Sequence, residues 1–437
     1  APGIGGIGII RMSGEKTFEI LGKIFKAKIP KKIEEIDGYT MKYGHIVEDD
    51  EIIDEVLVSY FKEPMSYTTE NMCEINTHGG NIVVKKILEL CLKNGAEMAE
   101  PGEFTKRAFL NGRIDLLQAE SVIDIIDAKS ERELKAGMNQ LEGRVSKEIH
   151  DIKQKIMDVM VNVEVDIDYP EYDVEEVTNT EINEMLDVVI ADLSRLEKSF
   201  DNGKILKDGV KTAIIGKPNA GKSSLLNCIL NEERAIVTEI EGTTRDTIEE
   251  FVTVEGVPLK LIDTAGIREA KDEVEKIGIT KSKEIAKDAD LIIAIFDSSK
   301  DLTDEDKEIL DIIKNKTAIV VLNKMDLLNK IDENMAEIKN VSKYIVKMST
   351  LEQKGIDDLY KSIGNLFSME EISLDNTIVI TNIRHKNLIS KALNSCREAK
   401  KSMELGMPLD IIAIFLKEIL ENLGEITGET VTDDIID

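Results

Sequence analysis

The sequence predicts a multidomain chain: an α+β domain first, then an all-α domain, with an α/β domain of mostly parallel sheet inset in the helical text. Three observations predict it. The first hundred-odd residues are rich in glycine and in β-type runs. From Leu116 the text becomes long, charged and helix-periodic, and helical text returns after Phe367. Between the helical stretches, apolar runs end in short polar motifs, the arrangement of an open α/β sheet with its ligand at the carboxyl ends of the strands.

At 437 residues the chain is too long for one ordinary domain. The expected divisions are residues 1–112, 113–208, 209–370 and 371–437, the second and fourth helical. Hydrophobic residues make up 42%, enough for real cores. The net charge of −29 argues against a general nucleic-acid coat protein, because phosphate contacts need a basic surface. One lysine cluster (Lys23, Lys26, Lys28, Lys31, Lys32) is a candidate basic patch, against the simpler reading of a solvated face. Four scattered cysteines, Cys73, Cys91, Cys228 and Cys396, have no metal-like spacing and read as reduced thiols of a cytosolic, cytoplasmic protein. No stretch has the length of a membrane span, and no signal peptide is evident, so no membrane association is expected. Ala1 at the start and an uncapped apolar-acidic pattern up to Asp437 read as cut ends.

In the α+β domain, Ile4 to Arg11 reads as a glycine-containing turn into a strand. Gly38 to Glu48 and Ile52 to Phe61 read as paired strands, and Asn71 to Asn76 as another, ended by Thr77-His78-Gly79-Gly80. Asn81 to Lys93 is helical by period. The His78 turn is either an anion-binding helix entry or an ordinary structural histidine. Arg11, Glu74 and Arg113 stand at strand ends or at the domain's edge, where spacing alone gives surface ion pairs.

Glu120 to Glu164 reads as long helical text. Ile182, Leu186, Val189, Leu193 and Leu196 recur at four and three residues, the mark of a bundle helix. Tyr169-Pro170-Glu171-Tyr172 separates the two stretches, and Gly203 and Gly209 mark a linker. Beyond a polar linker from Ser368 to Asn376, Leu388, Ala392, Cys396 and Ala399 share one helical face. Past Pro408, Ile412, Phe415, Leu416, Ile419, Leu420 and Leu423 line another. The flanking helical segments form either one domain into which the α/β domain is set or two separate units.

The α/β domain carries the chemistry. Gly216-Lys217-Pro218-Asn219-Ala220-Gly221-Lys222-Ser223 has the spacing G-x-x-x-x-G-K-S, between the apolar run Thr212–Ile215 and a helical run from Ser224. Strand, tight loop and helix make it a phosphate loop: glycines let successive N–H groups point inward, Lys222 reaches the β- and γ-phosphates, and the Ser223 hydroxyl can ligate Mg2+. After the strand Thr317–Leu322 comes Asn323-Lys324-Met325-Asp326. The Asp326 carboxylate can accept two hydrogen bonds from guanine N1–H and its 2-amino group, which adenine cannot supply. Between these motifs, Asp263-Thr264-Ala265-Gly266 ends a strand; Asp263 can hold Mg2+ through water and the Gly266 N–H can meet the γ-phosphate. D-x-x-G alone is uninformative, but three motifs in order, each at a strand end, specify GTP. The polar stretch Glu241 to Asp246, before a strand pair turned at Gly256, holds a switch threonine, Thr244. Ras-type GTPases place a glutamine after the D-x-x-G glycine; here Ile267 cannot polarise water, so hydrolysis of GTP would need another group to hold it, and the nearby acids are candidates.

With these residues in view, the sequence resembles the MnmE (TrmE) family of tRNA modification GTPases over essentially its whole length. The most specific pieces are Ala1-Pro2-Gly3 with Gly5-Gly6 and Arg11, the run Pro101 to Gly112, the phosphate loop with Pro218-Asn219-Ala220, Gly242-Thr243-Thr244-Arg245-Asp246, and Gly424 to Glu429. The resemblance implies a folate-binding N-terminal domain, a discontinuous helical domain and an inserted Ras-like G domain. It implies a homodimer that works with a flavoprotein, MnmG, as a heterotetramer. Together they would place a carboxymethylaminomethyl-type group on C5 of the wobble uridine of certain tRNAs, using 5,10-methylene- or 5-formyl-tetrahydrofolate. Arg11, Glu74 and Arg113 become folate contacts. Asn219, Thr238, Ile240 and Thr243 become K+ ligands, Ser223 and Thr244 hold Mg2+, and Glu275 orients the attacking water. The nucleotide set comprises Asn219, Ala220, Gly221, Lys222, Ser223, Ser224, Thr238, Glu239, Ile240, Glu241, Gly242, Thr243, Thr244, Asp263, Thr264, Ala265, Gly266, Asn323, Lys324, Asp326 and Ser349. Lys222, Thr244 and Glu275 form the catalytic set. The family's C-x-G-K tail lies beyond the equivalent of Asp437, so this sequence is expected to hydrolyse GTP without completing modification. Where the family usually has Ser-Ala, Ser349-Thr350 stands here, and the Ser349 backbone contact is expected to survive. Two other readings compete: a nucleotide-gated switch lacking the folate site, and an ATPase, which Asp326 disfavours.

Overall fold

The computed structural model describes residues 5–29, 38–168, 175–230, 250–262, 278–331, 336–367 and 379–429. They fall into two compact units, one running to Val122 and resuming at Thr427, the other running from Ile123 to Ile426.

The first unit is built on an antiparallel sheet. Its strands β1 (Ile7–Ser13), β2 (Phe25–Ala27), β3 (Thr40–Glu48), β4 (Glu51–Phe61) and β5 (Met72–His78) lie in the order β1-β5-β4-β3-β2. Alternation drives it: Ile10 and Met12 of β1, Val56, Val58 and Tyr60 of β4, and Cys73 and Ile75 of β5 point into one core. Helices α1 (Thr17–Ile24) and α2 (Asn81–Lys93) close that core with Phe18, Leu21, Ile24, Ile87, Leu90 and Cys91. Gly44 is required by packing, since an added Cβ would stand 2.3 Å from the Lys26 carbonyl oxygen. Helices α3 (Glu103–Leu110) and α4 (Leu116–Ile126) follow.

The stretch from Glu120 to Glu164 is not one helix. It breaks between α4 and α5 (Glu131–Leu141), and again before α6 (Arg144–Asp168). The first break is a capping arrangement: Ser130 Oγ accepts from the Glu133 N–H at 3.1 Å, and the Glu133 carboxylate accepts from the Lys129 N–H at 2.7 Å. Burial pushes the Glu133 carboxyl above its ordinary range. Gly143, at φ +78°, makes the second break.

Helix α7 (Glu175–Asp208) is also longer than expected and runs straight through Gly203. Gly203 is no linker. A Cβ there would stand 2.0 Å from the Ile380 carbonyl oxygen, so the glycine admits a crossing chain against the helix. Only Gly209, at φ +71°, ends the helix, and the next residue begins β6 (Val210–Ile215). The predicted stripe is buried: Ile182, Leu186, Val189, Leu193 and Leu196. It packs with α6 and with α13 (Ile383–Glu404), where Leu388, Ala392, Cys396 and Ala399 are buried. Lys155 meets Asp192 at 2.8 Å, Lys400 pairs with Asp187, and the Ile380 N–H donates to Ser199 Oγ at 3.1 Å. The helical text on either side of the α/β domain is therefore one assembly, with α14 (Leu409–Thr427) completing it.

The α/β domain is a sheet in the order β11-β10-β9-β6-β8-β7. Its remaining elements are α8 (Lys222–Leu230), β7 (Glu250–Val254), β8 (Val257–Leu261), α9 (Gly278–Asp288), β9 (Leu291–Asp297), α10 (Asp304–Ile313), β10 (Ala318–Asn323), α11 (Ala336–Lys339), β11 (Tyr344–Lys347) and α12 (Ile356–Leu366). Every pairing is parallel except that of β7 with β8. Strands β9 and β10 are wholly buried and read as continuous apolar runs, as a sheet covered on both faces requires. Strand β6 sits between β9 on one side and β8 on the other, so the loop after β6 lies at the switch of strand order.

Candidate functional site

The β6–α8 loop has the shape of a phosphate cradle. Gly216 and Gly221 hold φ of +159° and +110°, and Asn219 holds +63°. A Cβ on Gly216 would stand 2.5 Å from the Ile295 carbonyl oxygen, and one on Gly221 would stand 2.1 Å from Asn323 Nδ2. The glycines are thus fixed by what surrounds the loop as well as by its curl. Lys222 Nζ donates to the Gly216 and Lys217 carbonyls at 2.7 and 2.8 Å. Burial pushes its ammonium below the ordinary lysine pKa. A partly buried cation resting on two carbonyls is ready to exchange them for phosphate oxygens. Asn219, Ser223 and Ser224 are exposed at the loop's rim, while Ala220 is buried beneath it.

The guanine-side residues are knit to this loop. Asn323, fully buried at the end of β10, donates to the Ala220 carbonyl at 2.8 Å and accepts from the Thr350 N–H at 3.0 Å. Ser349 Oγ donates to Asp326 Oδ1 at 2.6 Å and so orients the carboxylate that would read the base. Lys324 lies in the left-handed region at φ +65°, with Nζ 2.7 Å from Asp297 Oδ2. Burial pushes the Asp297 carboxyl up, but hydrogen bonds from Lys324 and Ser299 outweigh it and hold the carboxyl below its ordinary value. Thr350 is named in the sequence only as a departure from the base-side Ser-Ala pair, and its bond to Asn323 shows only in space. Asp297 belongs to no motif and matters only through Lys324. Of the remaining expected residues, Thr238, Glu239, Ile240, Glu241, Gly242, Thr243, Thr244, Asp263, Thr264, Ala265, Gly266 and Glu275 lie outside the described residues.

Arg11 and Glu74 are not at strand ends. They face each other across the middle of the β1–β5 pairing, with Arg11 Nη2 2.5 Å and Nε 2.8 Å from Glu74 Oε1. The Arg11 guanidinium stands 5.7 Å from the Tyr67 ring centroid and 5.5 Å from that of Phe104; that of Arg113 stands 4.4 Å from Tyr67. The three predicted residues are therefore brought together by two aromatic rings that sequence reasoning missed. Beside them, Arg107 bridges Glu103 at 2.6 Å and Glu70 at 3.1 Å, tying the helix that carries Phe104 to the segment that carries Tyr67. Two cations, one carboxylate and two flat rings suit a planar heteroaromatic ligand bearing carboxylates. His78 is a surface residue whose Nδ1 lies 2.6 Å from Asp54 Oδ1, and this partner raises its pKa.

The four cysteines are free thiols, and among the described residues no helix is long and apolar enough to cross a membrane.

A family model described as "GTP-binding protein TrmE N-terminus" matches residues 1–113, and one described as "MnmE helical domain" matches residues 116–437. The tRNA modification GTPase MnmE of Clostridioides difficile (strain 630) is 51% identical over 439 residues, covering 100% of this chain and 95% of that protein. The protein of the same name from Finegoldia magna is 48% identical over 438 residues, with the same coverage. Among solved structures, the G domain of the T. maritima FeoB iron transporter is 25% identical over 36% of this chain and 98% of that one, at a TM-score of 0.26. With full-length identity at this level to relatives of one name, and both family models matched, the chain belongs to the family of tRNA modification GTPases MnmE.

Proposed function

We propose that this chain binds and hydrolyses GTP as part of a tRNA modification reaction. The observation that carries the reading is Asn323. One buried side chain joins the phosphate loop to the loop that would read guanine, so both halves of a nucleotide site are held in register. Lys222 would leave its two carbonyls for the β- and γ-phosphates, and Asp326, steadied by Ser349, would accept the guanine N–H donors. The donor set fits the implied ions. Ser223 offers an exposed hydroxyl to Mg2+ at the start of α8, and Asn219 offers an amide oxygen to K+ at the loop's rim. When bound, these cations would neutralise charge developing on the phosphates. Thr238, Ile240, Thr243 and Thr244 would complete the two shells, and Glu275 would orient the water.

In the finer reading, the product is a carboxymethylaminomethyl-type group on C5 of the wobble uridine. This chain takes part in that reaction as a homodimer, with the flavoprotein MnmG and a one-carbon unit drawn from a reduced folate. The Arg11, Tyr67, Glu74, Phe104 and Arg113 cluster supports the folate part.

The test is the GTPase rate in KCl against NaCl, repeated with Glu275→Ala. Strong K+ stimulation that is lost in the variant is expected. Equal rates in both salts would overturn the cation-assisted mechanism and favour a simple nucleotide switch.

A further inference from the structure

The loop after β9 reaches both ends of the nucleotide site. On the guanine side, the Ser298 N–H and hydroxyl both donate to the Asn323 carbonyl, at 3.0 and 2.6 Å, and the Ser298 carbonyl accepts from the Lys330 N–H at 2.8 Å. Asp297, the last residue of β9, holds Lys324. At its far end the loop enters α10. There Asp306 Oδ2 accepts from the Thr303 N–H at 2.9 Å, and Lys217 Nζ lies 2.6 Å from that carboxylate and 2.7 Å from Thr303 Oγ1. Lys217 is the residue after Gly216, a position the motif leaves open to any side chain. Its own carbonyl is one of the two that Lys222 rests on.

The Lys217–Asp306 pair is unlike the surface pairs of this molecule. Its side chains are only 19% and 5% exposed, so water screens it little, and removing either partner leaves the other charge buried and uncompensated. Its place in the loop gives it a task. To meet a phosphate, Lys222 must release the Gly216 and Lys217 carbonyls. Once it does, the Asp306 contact remains to hold this turn of the loop.

We infer that Asp306 is a positioning residue of the nucleotide site, holding the phosphate loop through Lys217 in the shape that phosphates enter. The inference rests on the nucleotide reading above, and it makes the β9–α10 loop a brace that sets the spacing between the phosphate and guanine ends.

The test is a double-mutant cycle on nucleotide affinity in the full chain, read by titration with N-methylanthraniloyl-GDP. Lys217→Met and Asp306→Asn are each expected to weaken binding by about tenfold. The double variant is expected to weaken it by about the same factor, because both changes remove one interaction. GTP turnover at saturation should stay within about twofold of wild type, placing the effect in KM. Lys217→Met leaves the first turn of α10 intact, so it carries the result if Asp306→Asn folds poorly. Wild-type affinity in Lys217→Met, or factors that multiply in the double variant, would overturn the inference. A wild-type chain that took up no labelled GDP would sink the nucleotide reading itself, and this inference with it.

Discussion

The phosphate loop and the Arg11 cluster both gather charged side chains, yet they are assembled in opposite ways. The first is made of consecutive residues, Gly216 to Ser223, and its geometry is dictated by where glycine falls. The second draws on positions 11, 67, 74, 104 and 113, gathered by strand register and by the Arg107 bridge. A site written in one stretch is read from spacing; one written across a sheet is read only when the register is known.

That contrast can be broken first at Gly221. Alanine there meets Asn323 Nδ2 and must hold a positive φ, so Gly221→Ala is expected to cost about a hundredfold in guanine-nucleotide affinity. Calorimetric titration checks it; retention of wild-type affinity would show that the loop tolerates a side chain and that the cradle is less constrained than described. In the dispersed site no single residue should matter as much. Tyr67→Ala leaves the Arg11–Glu74 pair in place and is expected to weaken reduced-folate binding by about tenfold, a typical loss for one stacking partner. Fluorescence titration with 5-formyl-tetrahydrofolate measures this, and an unchanged Kd would remove the ring from the site.

The smallest expected effect concerns stability. Burial depresses the Lys222 pKa, so the unfolded chain holds this proton more tightly than the folded one. Its contribution therefore makes the nucleotide-free protein more stable as pH rises towards the unfolded lysine value of about 10.4. Lys222→Met should raise the nucleotide-free melting temperature by about 1–2 °C while abolishing nucleotide binding. A melting temperature that falls instead would mean that the two carbonyl contacts outweigh the desolvation.

The same contrast explains what the sequence disclosed of the fold. The strands around the phosphate loop show as nearly unbroken apolar runs, because both faces of their sheet are covered, and the buried stripe of α7 follows from periodicity, because burial on one face imposes a period. Two errors came from reading punctuation by composition. The Ser130-x-x-Glu133 cap interrupts what periodicity alone reads as continuous helical text, and Gly203 reads as a linker because a glycine admitting a neighbouring backbone looks the same in sequence as one that ends a helix. Asp297, Tyr67 and Phe104 carry no mark of a site in the sequence for a different reason: each acts through a partner distant in the chain, and one sequence carries no sign of such partners.

Helix α7 meets the central strand β6 at one residue, Gly209, and the phosphate loop opens where that strand ends. A 34-residue helix is about 51 Å long, so a one-degree swing at Gly209 carries its far end through about 0.9 Å. The arrangement is a long arm joined to the strand that ends at the phosphate loop, with Gly209 seven positions before Gly216: any change of angle at that joint is multiplied by the length of the helix.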